Sequence, residues 1–214
     1  MNYFLPLMID LKGREVVIFG GGEVGERKAS LFCDHAIVTV ISREFNPGLS
    51  RLFEDEKIKL IKVKDLTETE ISEHMKNAFM VIPATNDTFL NEKISQLAGR
   101  NGKLVNRVDA IGDIIIPSVI ERGDIIIGIS TLGGSPALSK YIRHKIEKVV
   151  TPEFKEMSRL QNEIREILKS KVNDQKERKE ILWNILDDEK VWEALGESYE
   201  KAYKVALKHI DMIG

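Results

Sequence analysis

The segment Glu15 to Gly25, EVVIFGGGEVG, limits what this chain can fold into more than any other stretch. Val16 to Phe19 is a short continuous apolar run, the pattern of a parallel strand buried on both faces. It runs straight into Gly20-Gly21-Gly22-Glu23-Val24-Gly25, which fits G-x-G-x-x-G. A helical pattern follows from Glu23 to about Asp34, with Val24, Ala29, Leu31 and Phe32 as its apolar positions. Strand, glycine turn and helix start form the setting in which this motif cradles a dinucleotide. In that reading Gly20 permits the tight turn, Gly22 admits a pyrophosphate close to the backbone, and Gly25 lets the helix lie close on the strand. The helix start adds unpaired N–H groups and positive dipole. Gly20, Gly21, Gly22, Glu23, Val24 and Gly25 are therefore candidate cofactor-binding residues, set against the blander reading of a turn that only turns.

Strands and helices go on alternating. Ile37 to Ile41 reads as a second strand, and Lys57 to Val63, with its lysines, as an edge or half-exposed third strand. Thr67 to Asn77 reads as a helix, Phe79 to Pro83 as the fourth strand, Asp87 to Gly99 as a helix and Leu104 to Asn106 as a short fifth strand. Such alternation implies right-handed crossovers and a parallel sheet. The loops Gly20 to Gly25, Ser42 to Glu44 and Ala84 to Asp87 should then converge at the carboxyl ends of the strands. Ser42, Arg43, Ala84, Thr85 and Asn86 join the cofactor set on that ground. An acid about 20 residues past the glycine loop would hold the ribose of NAD. Here the second strand ends Ser42-Arg43-Glu44: a neutral residue, a cation suited to a 2′-phosphate, and an acid further along. From these residues alone NAD and NADP both stay open.

The pattern then changes. Ile114 to Ile120 and Ile125 to Ser130 read as an antiparallel hairpin, with Pro117 where no ladder donor is needed. Ser135-Pro136 is an N-cap followed by proline at the first helical position, starting a helix to about Val150. Leu138, Ile142, Ile146 and Val149 form its stripe, and Arg143 and His144 lie among its cations. Thr151-Pro152 starts another helix with an apolar face from Phe154 to Val172. Lys171 to Lys179 reads as a charged connection and Ile181 to Ile210 as two helices, with Trp183 and Trp192 as packing aromatics. The expected fold class is α/β: a Rossmann-like, doubly wound parallel sheet over residues 1–112, a hairpin and helix dimerisation region over 113–150, and a C-terminal helical domain over 151–214.

Lys+Arg 32 against Asp+Glu 34 gives a net charge of −2, which offers no global attraction to nucleic acid. Cys33 is the only cysteine, so no intramolecular disulfide forms, and it reads as a small core residue. His35, His74, His144 and His209 show no metal-ligand spacing, and no permanent metal site is expected. The opening MNYFLPLMIDLKGR lacks the basic and apolar regions of a secretory signal. No apolar run reaches the length of about 18 that a membrane span needs. A cytoplasmic location is expected.

Three runs together resemble the precorrin-2 dehydrogenase family, the dehydrogenase and ferrochelatase part of siroheme synthase. FLPLMIDLKGREVVIFGGGEVGERKA resembles the family's opening, including the Arg27-Lys28 pair after the glycine loop. FMVIPATNDTFLNEKI resembles its fourth-strand region. LVNRVD and DIIIPSVIERGDIIIGISTLGGSPALSKYIRHKIE resemble its active-site and dimerisation stretch. The likeness covers roughly the first 150 residues.

The resemblance implies NAD as cofactor and hydride removal from precorrin-2, a macrocycle rich in acetate and propionate groups, to give sirohydrochlorin. It implies a homodimer and, for some members, Fe²⁺ as a second substrate. Asp109, in Asn106-Arg107-Val108-Asp109, matches the family's essential aspartate and is the candidate catalytic residue. A carboxylate there would accept the proton that ring oxidation releases; the bland alternative is a loop or cap residue. Ala110 replaces the family's second aspartate, the loop to Asp113 is one residue shorter, and Arg107 stands where the family is apolar. Dehydrogenation should survive these departures, while metal insertion loses a carboxylate. Asp113 reads as structural, at a strand start. Asn106, Arg107, Ser135, Arg143 and His144 are candidate substrate contacts, with helix capping the blander role for Ser135. Two rival classes are an NAD(P)-sensing regulatory module and an NAD(P) oxidoreductase of another small substrate. The first would need a basic DNA-reading helix, and for the second no Ser-Tyr-Lys or His-based hydride-transfer set is evident.

Overall fold

The computed structural model describes residues 3–108 and 110–211. The chain divides into two compact units, one up to Ile116 and one from Pro117.

Five strands build the first unit: β1 (Glu15–Phe19), β2 (Ile37–Ser42), β3 (Lys59–Lys62), β4 (Ala78–Pro83) and β5 (Leu104–Val105). They pair in the order β3-β2-β1-β4-β5, all parallel. Val16 to Phe19 lie in the centre and are fully buried, as a continuous apolar run requires. The lysine-bearing β3 is an edge strand, as its composition predicts.

Crossover helices cover both faces. α1 (Glu23–Phe32) and α2 (Pro47–Glu54) pack on one core with Val16, Ile18, Val38, Val40, Met80 and Ile82. α3 (Glu68–His74) and α4 (Thr88–Arg100) close the other, with Val17, Phe19, Ile41 and Val81. On α1 the buried residues are Gly25, Ala29 and Phe32. Val24 and Leu31, counted as apolar positions above, point outward at 36% and 43% exposure. α3 opens on a capping box between Thr67 and Glu70, and Asp87 caps α4 through the amides of Phe89 and Leu90. Each such cap contributes about 1 kcal/mol. A fully buried Ile or Phe contributes ~1.5–3 kcal/mol, so packing decides where the helices lie and the caps fix where they start.

α2 is absent from the sequence reading, which left Phe45 to Glu56 without an element. Its signal is present: Asn46 caps the amide of Leu49, and Pro47 occupies the first turn. The run Ile114 to Ile120 is also not one strand. Ile114 and Ile116 pack on the α1 side of the sheet, and the strand begins only after Pro117. Asp113 accordingly starts no strand; its carboxylate accepts from the amide of Val105, a structural role.

The second unit opens with the hairpin β6 (Ser118–Arg122) and β7 (Ile125–Ile129), antiparallel as expected. A side chain at Gly128 would meet the Pro117 ring at 3.1 Å, so the glycine makes room for that proline. α5 (Pro136–Glu147) follows, then α6 (Glu153–Lys171), α7 (Gln175–Asp187), α8 (Glu189–Glu197) and α9 (Tyr199–Asp211). Met157, Leu160, Ile164 and Leu168 of α6 anchor the core of this bundle. The charged connection expected over Lys171 to Lys179 shrinks to Val172–Asp174, because Asp174 caps α7. The tail holds three helices rather than two, divided where Asp188 caps α8 and at Ser198. Trp192 packs as expected, its ring 4.8 Å from Phe154 and its indole N–H donating to Leu186. Trp183 does not: it is 54% exposed.

Candidate functional site

At the carboxyl ends of the strands lies a cleft of about 680 Å³. Three loops line it: Gly20 to Gly22, Ser42 to Asn46, and Ala84 to Asp87, with Leu66 and Leu90 completing the wall. The candidate cofactor residues Gly20, Gly21, Gly22, Ser42, Arg43, Ala84, Thr85 and Asn86 all line it. Glu23, Val24 and Gly25 form the first turn of α1 instead of the wall.

The glycines divide their work. Gly20 has φ +131, and an added Cβ would lie 2.2 Å from the carbonyl oxygen of Ala84. At Gly21 it would lie 1.9 Å from the carbonyl oxygen of Glu44, and at Gly25 2.0 Å from that of Gly20. These three are required by contact within the protein. Gly22 is different: it is exposed, and a Cβ there would meet nothing within 4 Å. Gly22 is also the N-cap of α1, with no side chain capping the helix. Open space over uncapped amides fits a dinucleotide pyrophosphate, and the cleft is large enough to take one.

Two asparagines that sequence reasoning passed over hold the loops in place. Asn46 donates its backbone amide to the carbonyl of Gly21 and its side-chain amide to Glu26 of α1, while its carbonyl oxygen caps α2. Asn91, 3% exposed on α4, accepts from both the amide and the hydroxyl of Thr85 and donates to the carbonyl of Thr85 at 3.0 Å. Polar residues inside an apolar helical pattern were the available signal for Asn91. Beyond the end of β2, Arg43 meets Asp65 at 2.9 Å, both largely exposed.

One strand further along, past β5, side chains take over. Asn106 is 3% exposed and held on three sides. Its amide donates to the carbonyl of Val81 at 3.1 Å, its Nδ2 donates to that of Ile114 at 2.8 Å, and its Oδ1 accepts from Lys28 Nζ at 2.8 Å. Burial, and secondarily the charge of Arg27, push the Lys28 ammonium down to about 8. Arg107 pairs with Glu92 at 2.6 Å. Asp109, the candidate catalytic residue, lies outside the described residues.

The remaining candidates belong to the second unit. Ser135 accepts from the amide of Leu138 as the N-cap of α5, which is the capping role. Arg143 and His144 both reach Glu147, at 2.9 and 3.3 Å. The Arg143 guanidinium, bonded to Glu147, holds that carboxyl below its usual range. Among the described residues no cluster of three or more His, Cys, Asp or Glu is placed to hold a metal ion. Nor is any helix long and apolar enough to cross a membrane.

A parallel sheet of this order, with a glycine cradle at its carboxyl edge, defines a nucleotide-binding α/β protein, and an NAD(P)-binding family model matches residues 7–118. The particular family follows from similarity over nearly the whole chain. The chain is 53% identical over 203 residues to a precorrin-2 dehydrogenase of Methanosarcina barkeri, covering 94% of this chain and 91% of that protein. It is 36% identical over 182 residues to a siroheme synthase of Neisseria meningitidis, of whose length it spans 37%. The solved structure of SirC, a precorrin-2 dehydrogenase, superposes with a TM-score of 0.75 at 26% identity over 98% of this chain and 100% of that one. The chain belongs to the precorrin-2 dehydrogenase family.

Proposed function

We propose that this protein oxidises precorrin-2 to sirohydrochlorin with NAD⁺. The observation that carries the reading is the open cradle at Gly22 on the same sheet edge as the buried Asn106 cluster, with β4 between their strands. Bound NAD⁺ would accept the hydride that leaves the macrocycle. The first-turn amides of α1 hold the pyrophosphate. Thr85, locked by Asn91, keeps the loop after β4 rigid against the cofactor. Asp65 offsets the charge of Arg43, which favours a plain ribose over a 2′-phosphate and supports NAD over NADP. Asp109 accepts the proton that leaves the ring, so one hydride and one proton depart and a new double bond remains.

The assembly we propose is a homodimer. α5 buries none of its residues, and Leu138 and Tyr141 are 48% and 58% exposed. The hairpin adds Val119 and Ile126, at 36% and 49%. Exposed apolar residues on both elements fit a partner copy. Reduced cytoplasm, where NAD⁺ and a free Cys33 thiol coexist, is the expected compartment. A regulatory module reading DNA has no support in the family found.

The test is direct. Purified protein given freshly generated precorrin-2 and NAD⁺ should yield the sirohydrochlorin spectrum and NADH together. No NADH from a folded, NAD⁺-binding protein would reject the reading. With Fe²⁺ and sirohydrochlorin supplied, metal insertion should be slow, because Ala110 offers no second carboxylate.

A further inference from the structure

Lys28 differs from the ion-paired cations of its unit. Arg43, Lys57, Lys93 and Arg107 each meet a carboxylate, at Asp65, Asp34, Glu68 and Glu92. Lys28 is half-buried, yet its one partner among the described residues is the neutral Oδ1 of Asn106. That oxygen cannot turn away, because the other half of the amide is committed to the carbonyl of Ile114. An ammonium has three donors, so two remain after Asn106 among the described residues. A cation taken out of water without a counter-ion is costly. The charge of Arg27 beside it, the other charged group bearing on it among the described residues, adds to that cost. The position is also suggestive. Asn106 follows β5 at the carboxyl edge, and Lys28 does not line the cofactor cleft.

We infer that Lys28 is a binding residue for a carboxylate arm of the tetrapyrrole, with Asn106 as the strut that aims it. This rests on the proposed substrate. A macrocycle carrying acetates and propionates brings an anion that none of the described residues supplies to Lys28. The charge-assisted bond then forms in a partly dry site, where it is stronger than on the surface. Lys28 is held down near 8, so an arriving carboxylate raises its proton affinity and binding takes up protons around that pH. In the free protein the sign runs the other way. The folded state binds fewer protons than the unfolded state between about 8 and 10.5, so stability rises with pH across that window.

The test measures sirohydrochlorin affinity by absorbance titration, with calorimetry in buffers of different ionisation heat to count protons. Lys28→Gln keeps a donor for Asn106 and removes the charge; Lys28→Arg keeps the charge. Lys28→Gln should weaken sirohydrochlorin binding roughly tenfold or more and abolish proton uptake near pH 8. Lys28→Arg should retain most of the affinity, and NAD⁺ affinity should not change in either. Sirohydrochlorin binding unaltered in Lys28→Gln would reduce Lys28 to a strut and overturn the inference. Loss of NAD⁺ affinity would overturn it too, by moving Lys28 to the cofactor side. If the unmutated protein binds NAD⁺ but neither binds sirohydrochlorin nor oxidises precorrin-2, the proposed function fails and this assignment falls with it.

Discussion

The two halves of the ligand edge are built from different materials. On the cofactor side the surface is mostly backbone: Gly20, Gly21 and Gly25 let main chains touch, and Gly22 leaves a hollow. On the β5 side the surface is side chains, with Lys28 and Asn106 joined across 78 residues of sequence and Arg107 tied to Glu92. In the function proposed, a backbone cradle would recognise what every dinucleotide shares, a pyrophosphate. Directed side chains would recognise what is particular to one substrate. Binding and chemistry should therefore be separable by mutation.

The largest effect tests that separation at the chemical step. Asp109→Asn keeps the size of the residue but loses the basic carboxylate. Sirohydrochlorin formation should fall by roughly 10²-fold or more, with NAD⁺ affinity nearly unchanged by calorimetry. A parallel loss of NAD⁺ binding would merge the two halves, and near-normal turnover would leave Asp109 a loop residue. Next comes the cradle. Gly22→Asp enters open space, so the protein should fold normally while NAD⁺ affinity drops about tenfold or more. Gly21→Ala makes a sharp contrast. Its Cβ would lie 1.9 Å from the carbonyl oxygen of Glu44, and it should lower the melting temperature. Unchanged NAD⁺ affinity in a folded Gly22→Asp protein would end the case for the cradle. The smallest expected change lies in the second unit. Leu138→Lys should weaken a dimer about fivefold or more, as loss of more than ~1 kcal/mol at an interface residue does. Sedimentation at falling concentration reads this, and an unmutated protein that is monomeric at micromolar concentration would remove the dimer from the picture.

The same contrast explains what could be read in the sequence. Glycine at fixed spacing between an apolar strand and a helix start is a strong local signal, so β1, the glycine turn and its converging loops were legible. So were the hairpin and the Ser135-Pro136 helix start, whose capping chemistry is local. Lysine and asparagine have many bland uses, and nothing local tells that Lys28 will be half-buried against Asn106; only the fold brings them together. α2 was missed because its buried residues, Gly48 and Leu49, are too few to show a period. The run from Ile114 to Ile120 misled because apolar content does not reveal that a chain changes units at Pro117. Trp183 misled because a large aromatic suggests burial, whereas the face it occupies is open.

Asn46 carries a consequence beyond binding. Its one side chain and one amide tie Gly21, Glu26 and the start of α2, joining the glycine turn and α1 to the next helix. A loop with independent tethers can loosen a tether at a time. Here, freeing the glycine turn also releases a helix cap and a carboxylate, so the cofactor mouth opens as a cooperative unit or stays closed. The ordering entropy of the cradle is thus charged to folding rather than to each encounter with the dinucleotide. The glycine turn is thereby tied to both α1 and α2.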